Sequence, residues 1–395
     1  MRRFALSVVT FVCLHPFLLN AQDIKVFDRT VQFHGFASQG FAYTSDNNWL
    51  TMGSASGSAA LTDMGANASM AVTDKLRIGA QVYDRNLGQL GQWHPTLDWA
   101  YADYRFTDWL GIRGGKVKTV AGLYNDTQDM DFLRPFALLP QGVYPTTIRE
   151  VTIAHKGGDI YGHIALPRNA GSLMYTAFAG ERDDSKYGGY FYLEQTPPPV
   201  LVLNSISALQ YGGDLRWNTP VKGLLVGASR FSESNQGDGV FDVGAGFMPY
   251  TQSSKADWNN QFYGQYTHNK WEFEAEYRRS WIDEVIYDGQ QEIQTDAKAW
   301  YVAGSYRIVK WMQVGSYFSN LGVNAPLNAE SGHIHDTDVT VRFDANRYLN
   351  FKLEGHFMDG VGLPGLYPGG FFSADNPNGL KPQTNAVVVK TNFNF

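Results

Sequence analysis

The feature that most constrains this chain is an alternation of apolar and polar residues that recurs along almost its whole length. Residues 271–278 show it clearly, with Trp271, Phe273, Ala275 and Tyr277 on one face and Glu272, Glu274, Glu276 and Arg278 on the other. Residues 339–344 and 349–357 repeat the pattern. Because successive side chains of a strand point to opposite faces, a period of two predicts half-buried β-strands. The chain is therefore predicted to be all-β.

The connections between the predicted strands distinguish a membrane barrel from a soluble sandwich. Strands are predicted at 31–44, 60–73, 75–87, 96–107, 109–119, 148–156, 171–181, 208–218, 222–232, 257–268, 271–283, 297–308, 311–320, 336–345, 348–358 and 384–395. Short joints, of which residues 157–170 are the longest, alternate with long polar loops rich in glycine and proline. This alternation is typical of outer-membrane barrels. Hydrocarbon supplies no hydrogen-bond partner, so such a sheet must close on itself.

We therefore expect a transmembrane antiparallel β-barrel in the bacterial outer membrane, in contact with its lipid. The count of predicted strands is 16, with 18 as the alternative, and both are even numbers typical of such barrels. The short turns are expected on the periplasmic side and the long loops on the extracellular side.

Residues 1–21 are predicted to be a secretory signal peptide, which leaves residues 22–395 as the barrel. The segment carries Arg2 and Arg3, continues with an apolar run and ends at Ala21, a pattern typical of cleaved signals. Its removal takes away Cys13, the sole cysteine, so no disulfide is expected. After it, no apolar run reaches the roughly 18 residues that a helical membrane span needs.

Charge and aromatic content agree with a membrane barrel. The formal net charge is −6, whereas binding to phosphate backbones needs clustered positive charge, so no nucleic-acid partner is expected. Aromatic residues make up 14% of the chain. A barrel uses them in girdles at both membrane faces.

Two stretches resemble known proteins. The final strand ends in Phe395, which resembles the signal by which Gram-negative bacteria deliver barrels to their insertion machinery. Residues 113–144, RGGKVKTVAGLYNDTQDMDFLRPFALLPQGVY, resemble a porin-like family in which an arginine-lysine strand runs into a Gly-Leu-Tyr-Asn loop rich in Asp and Pro. The chain as a whole is similar to Gram-negative porins. The resemblance implies a passive channel for small hydrophilic solutes or ions, and a homotrimer.

In porins the third long loop folds into the lumen, and residues 120–147 occupy that place in this chain. Five apolar residues of this loop are expected to pack against the inner wall or against the loop's own turns: Phe132, Leu133, Phe136, Leu138 and Leu139. Prolines stiffen the loop. The charged residues predicted to form the pore constriction, with the aspartates facing water, are Asp126, Asp129, Asp131 and Arg134.

The wall opposite this loop is expected to be basic. The predicted pore-lining residues are Arg77, Arg85, Arg105, Arg113, Lys116, Lys118 and Arg149. The two lysines depend on a bulge at Gly114–Gly115 that turns both of them inward. Carboxylates facing cations would set a transverse field that filters solutes by charge. Two alternatives stay open: the arginines pair structurally with the loop carboxylates, or the aspartates bind calcium, although their spacing lacks the regular pattern of a calcium loop.

No catalytic residue, metal site or cofactor is predicted. Barrel hydrolases bring a histidine together with an acid or a serine, and the one candidate cluster is His333, His335, Asp336 and Asp338. This cluster lies at the mouth of the seventh long loop, where exposed polar residues are ordinary. No Gly-x-Ser-x-Gly turn at a strand-to-helix junction and no phosphate-binding glycine loop occur. The alternative function is an adhesin or surface-recognition protein that acts through its long loops.

Overall fold

The computed structural model describes residues 22–26, 29–194, 201–242, 244, 246–286, 291–324, 332–362 and 369–395. The predicted signal peptide, residues 1–21, lies outside the described residues. The strands are β1 (Gln22–Val26), β2 (Arg29–Thr44), β3 (Ser58–Ala71), β4 (Leu76–Leu87), β5 (Thr96–Thr107), β6 (Leu110–Lys118), β7 (Ala154–Ala165), β8 (Ser172–Asp183), β9 (Leu201–Asn218), β10 (Leu224–Asp242), β11 (Phe247–His268), β12 (Trp271–Ile286), β13 (Gln291–Val309), β14 (Met312–Asn324), β15 (His333–Asp344), β16 (Leu349–Gly360) and β17 (Gln383–Asn394).

Strands β2 to β17 form one closed barrel. Each pairs antiparallel with the next along the chain, and β17 closes the ring on β2, where residues 386–394 pair with residues 36–44. The short β1 is an extra strand that pairs with the start of β2. Closure leaves no row of unpaired backbone groups facing lipid. The prediction of a 16-stranded antiparallel barrel is confirmed.

Helical structure is confined to short pieces in the connections. The α-helices are α1 (Arg149–Thr152) and α2 (Gly189–Glu194), and single 3-10 turns occur at Ser54–Ser56, Asn125–Thr127, Asp131–Leu133, Thr146–Ile148, Pro167–Asn169 and Ser373–Asp375. Among the described residues, no helix is both long enough and apolar enough to cross a bilayer.

Several strand boundaries differ from the prediction. Residues 149–152 are helical and β7 runs from Ala154 to Ala165, so the joint to β8 is shorter than the predicted 157–170. The predicted loop 233–256 is mostly a hairpin, because β10 and β11 stay paired up to Asp242 and Phe247. Backbone pairing does not require apolar side chains. The sequence pattern therefore marks the band of alternating hydrophobicity, whereas the strands continue beyond it.

The outer surface of the barrel is apolar. Large side chains such as Phe41, Ile78, Phe262 and Phe357 are exposed on it. Near the short turns, the exposed aromatic residues include Tyr104, Phe106, Trp109, Trp271, Trp311 and Phe343. An apolar band flanked by aromatic residues is the surface that a barrel presents to lipid.

The inner face is polar, except for an apolar core near the long-loop end. There, Trp49 and Leu50 of the first connection and Phe371 of the last one are buried. Residues 137–139 and 143–144 of the third long connection belong to the same cluster, together with wall residues such as Tyr301, Leu321 and Val388. Long connections therefore fold back into the barrel and share one core with its inner wall.

Candidate functional site

Residues 119–153, called the inserted segment below, run inside the barrel between β6 and β7. The first part lies against β10 and β12. The Gly122 amide donates to Ser229 Oγ at 2.8 Å, and the Leu123 amide donates to Glu276 Oε1 at 3.2 Å. Gly122 has φ +63°, and a Cβ there would lie 2.2 Å from Glu276 Oε1. Only glycine fits this approach to the wall.

The middle of the inserted segment lies against β15 and β16. Thr340 Oγ1 donates to the Pro135 carbonyl at 3.3 Å. Lys352 Nζ donates to the carbonyls of Asp131 and Phe136 at 2.6 and 2.7 Å. Lys352 is buried, so its charge is held by the backbone of the segment rather than by water.

The last part of the inserted segment, residues 146–150, lies against β4. Arg85 donates to the carbonyls of Thr146 and Thr147 at 2.6 and 3.0 Å, and to Glu150 Oε2 at 2.5 Å. The segment thus makes contact with wall strands around the ring, always on the face opposite the exposed apolar residues.

Asp129 is buried between the segment and the wall. Gln81 Nε2 donates to Asp129 Oδ2 at 2.7 Å, Lys118 Nζ to Oδ1 at 3.2 Å, and Arg149 lies at 3.6 Å. Burial alone raises the pKa of Asp129, but the charges of Lys118 and Arg149 outweigh burial and hold the pKa below its usual range. With 6% of its surface exposed, Asp129 does not face water, and that prediction is wrong.

Asp131 is bound from two sides. Its carboxylate accepts from Arg134 at 2.8 Å within the segment and from Lys390 of β17, which also contacts Asp63 at 3.2 Å. Burial opposes ionisation, yet the charges of Lys390, Lys352 and Arg134 lower the pKa of Asp131 to about 2. Arg134 itself is buried and donates to backbone carbonyls of the segment. For Asp129 and Asp131, the structure favours the alternative of structural pairs.

Asp126 is the most accessible of the three aspartates. Its side chain is 24% exposed and lies 3.5 Å from Arg216 of β9. Lys118 Nζ donates to its backbone carbonyl at 2.8 Å. The three aspartates therefore face different partners on different strands, which is not the arrangement of a shared calcium site.

Two of the predicted pore-lining arginines are buried where the last part of the segment meets the wall, Arg149 on the segment itself and Arg85 on β4. Arg149 forms a bidentate pair with Asp98 at 2.8 and 2.9 Å and lies 3.7 Å from the ring centroid of Tyr83. Arg85 is 3% exposed. Burial excludes both from an aqueous surface, so they anchor the segment instead.

Three other arginines lie on the inner face near the short turns. Arg113 pairs with Asp159 at 2.9 Å, and its guanidinium lies 4.7 Å from the ring centroid of Tyr161. Arg77 donates to Ser69 Oγ at 2.7 Å and is exposed. Arg105 is exposed in the same region. Their positions agree with the prediction that they line the lumen.

The bulge predicted at Gly114–Gly115 does not form. The pairing of β6 with β5 and β7 continues through both glycines without a shift. Lys116 pairs with Ala100 on the outer side and donates to the Leu97 carbonyl at 2.7 Å. The prediction that Lys116 lines the pore is therefore wrong, whereas Lys118, at the end of β6, reaches the inserted segment.

The residues on the far wall that hold the segment could not be assigned from the sequence. These include Arg216, Ser229, Glu276, Thr340, Arg342, Lys352 and Lys390. Alternation alone placed Glu276 and Lys352 on a polar face. Their partners depend on the path of the segment across the barrel, which no local pattern encodes.

No protein-family model and no curated protein matches the chain. Among solved structures it is similar to OmpT of Vibrio cholerae, an outer-membrane protein, at 14% identity over 95% of this chain and 100% of that chain, with a TM-score of 0.59. The fold is that of an outer-membrane barrel.

Two further structures share this fold. The outer-membrane channel DcaP of Acinetobacter baumannii is 11% identical over 94% of this chain and 99% of its own, with a TM-score of 0.56. The anion-selective porin from Comamonas acidovorans is 12% identical over 93% of this chain and 100% of its own, with a TM-score of 0.52. The fold and the apolar exterior place the chain in the outer membrane of Gram-negative bacteria.

Proposed function

We propose that this chain, after cleavage of residues 1–21, is a passive channel for small hydrophilic solutes or ions, narrowed by its inserted segment. One observation carries the proposal: the segment crosses the interior and is bonded to inner-face side chains of β4, β10, β12, β15 and β16. A 16-stranded barrel is too wide for its own wall side chains to fill. An inserted segment therefore leaves a narrowed passage rather than an open one.

Some charged side chains still reach water on the inner face of the barrel. Asp126 is partly exposed on the segment, and Arg77 and Arg105 are exposed on the wall. Asp129, Asp131 and Arg134 do not contact solutes directly, because their charges are paired and largely shielded from water. We assign the charge filter to Asp126 and the exposed arginines, with the other residues fixing the segment in place.

Single-channel recording in planar bilayers tests this function. We expect discrete open-state currents in potassium chloride, and a reversal potential across a salt gradient that shifts towards anions in Asp126→Asn. Asp183→Asn is the matched control, since Asp183 is half-exposed and pairs with Lys156 on the outer side. A barrel without current would refute the channel and favour recognition through the external segments. Equal shifts of the reversal potential in both variants would show that Asp126 does not contribute to charge selection.

We also propose a homotrimer. Ala66, Ala68, Ala100 and Ala102 lie together on the outer face of β3 and β5, linked through β4. Lys116 pairs with Ala100 on the same face, where its amine donates to the Leu97 carbonyl. An amine facing lipid is costly, so a subunit contact suits this surface better. A trimer form of the Vibrio cholerae protein is known at 14% identity and a TM-score of 0.58. The mass of the detergent-solubilised protein tests this, because a value matching one chain would refute it.

A further inference from the structure

Four ionisable side chains converge on the inner wall directly beneath the inserted segment. Asp336 and Asp338 lie on β15, and Glu354 and His356 lie on β16. The two strands place them on one face, with Asp338 opposite His356 in the pairing. Asp338 and His356 are 0% exposed and Glu354 is 1% exposed. Such a concentration of acids in a dry site needs a compensating positive charge.

The spacing of three of these groups fits a metal ion. Glu354 Oε2 lies 3.4 Å and Asp338 Oδ2 lies 3.8 Å from His356 Nε2, and one ligand atom from each residue lies within 4.8 Å of the other two. Tetrahedral zinc, with bonds of about 2.1 Å, separates its ligand atoms by about 3.4 Å. A separation of 3.8 Å is too long for a hydrogen bond.

Three of the atoms that point into this space have no hydrogen-bond partner. Among the described residues, both carboxylate oxygens of Asp338 and Nε2 of His356 are buried without one. Buried polar atoms in folded proteins are nearly always satisfied. The nearest cation on the same strand, Lys352, is instead held by two backbone carbonyls of the inserted segment. The unsatisfied atoms therefore point to a ligand.

The surroundings orient the histidine as metal sites do. His356 Nδ1 lies 3.0 Å from Asp336 Oδ2, which also accepts from Tyr317 Oη at 3.0 Å. A proton on Nδ1 leaves the lone pair of Nε2 free and aimed at Asp338 and Glu354. A carboxylate behind the ligating imidazole is the usual outer partner of such a histidine.

We propose that Asp338, Glu354 and His356 bind one divalent transition-metal ion of the zinc class, and that this ion fixes the inserted segment to the wall. One imidazole and two carboxylates suit zinc or manganese better than calcium or magnesium, which prefer oxygen alone. The Glu354 carboxylate also accepts from the amides of Ala137 and Leu138. Glu354 would thus connect the ion to the backbone of the segment.

Metal content of the folded barrel tests the proposal. Protein refolded into detergent with zinc chloride and then washed is expected to retain one zinc per chain more in the wild type than in Asp338→Asn or His356→Gln. Wild-type protein refolded with zinc chloride is likewise expected to retain one more metal ion per chain than wild-type protein refolded with calcium chloride or magnesium chloride. The matched control is His335→Gln, because His333, His335 and Asp359 form a second, more exposed group with ligand spacing. Asp336→Asn is expected to weaken binding 10- to 100-fold by disturbing the orientation of His356.

Two further readouts keep the test independent of variant folding. Cobalt-loaded wild-type protein is expected to show the visible absorption of four-coordinate cobalt, and zinc is expected to raise its unfolding midpoint. Wild-type protein that takes up no metal would overturn the proposal and leave a proton-sharing acid–histidine cluster. If Asp338→Asn and His356→Gln retain zinc whereas His335→Gln loses it, the metal binds at the group of His333, His335 and Asp359, and the proposal is equally overturned.

Discussion

Asp131→Asn is the substitution that best tests how the inserted segment is held. The native carboxylate faces Lys390 of the wall and Arg134 of the segment, and the side chain is only 13% exposed. Asparagine keeps the shape but removes the charge, which leaves Lys390 with Asp63 alone at 3.2 Å. The ammonium is buried, so water replaces the lost partner poorly.

The size of the effect follows from the carboxyl pKa. Lowering the pKa from 3.8 to about 2 corresponds to about 2 kcal/mol in favour of the ionised form. Breaking a fully buried pair typically costs about 3–5 kcal/mol. Because Lys390 keeps Asp63, we expect the lower figure, about 2 kcal/mol of unfolding free energy at neutral pH.

Urea unfolding of the barrel in lipid vesicles, followed by tryptophan fluorescence, measures this loss from the midpoint and slope. A carboxyl with a lowered pKa stabilises the fold above its ordinary pKa of 3.8, and that contribution is lost as the pH falls towards about 2. The gap between wild type and variant should therefore close over the same range. Asp126→Asn is the control, with an expected loss below about 1 kcal/mol because its contact to Arg216 is 3.5 Å and partly exposed. Equal losses in both variants would refute the reasoning.

Two other predictions concern buried charges. Arg149→Met leaves Asp98 buried without its bidentate partner, so urea unfolding should show a loss of about 3–5 kcal/mol in the free energy of unfolding. Lys156→Met removes one side of an exposed pair and should change the free energy of unfolding by less than about 1 kcal/mol. Similar losses in the two variants would contradict the buried-pair argument. Burial and the charge of Glu150 raise the pKa of Asp184 to about 7. A raised carboxyl pKa means that the folded chain holds a proton that the unfolded chain releases, so stability falls as the pH rises from 3.8 to about 7. Asp184→Asn should remove this dependence in thermal unfolding measured across that pH range, and an unchanged dependence would contradict the raised pKa.

The barrel could be predicted because its evidence is local. A period of two, short joints and long loops are visible in any stretch of the chain, and closure follows from the absence of hydrogen-bond partners in lipid. The inward positions of Arg77, Arg105 and Arg113 follow from the same alternation. The positions where β10 ends and β11 begins could not be predicted from the alternation, because the two strands stay paired beyond the residues that alternate.

The error at Lys116 came from placing a bulge at the wrong position. The glycine pair at 114–115 suggested a bulge, yet the register shift occurs at Asp98, which has no partner between the pairs Gln81–Trp99 and Val82–Leu97. That shift turns the Asp98 carboxylate inward to Arg149. A bulge depends on the fit of two strands, so composition alone does not locate it.

By itself the sequence determined that the chain is a closed antiparallel barrel and which face of the regularly alternating strands meets lipid. Through the resemblance to porins it also marked residues 120–147 as a loop that folds into the lumen. Only the tertiary structure decided that Asp129 and Asp131 are paired and buried, and that Asp338, Glu354 and His356 meet beneath the segment. The physical reason is that side-chain alternation is set between neighbouring residues, whereas these contacts depend on how separate segments meet inside the barrel. Asp131 and Lys390, for example, are 259 positions apart in the chain.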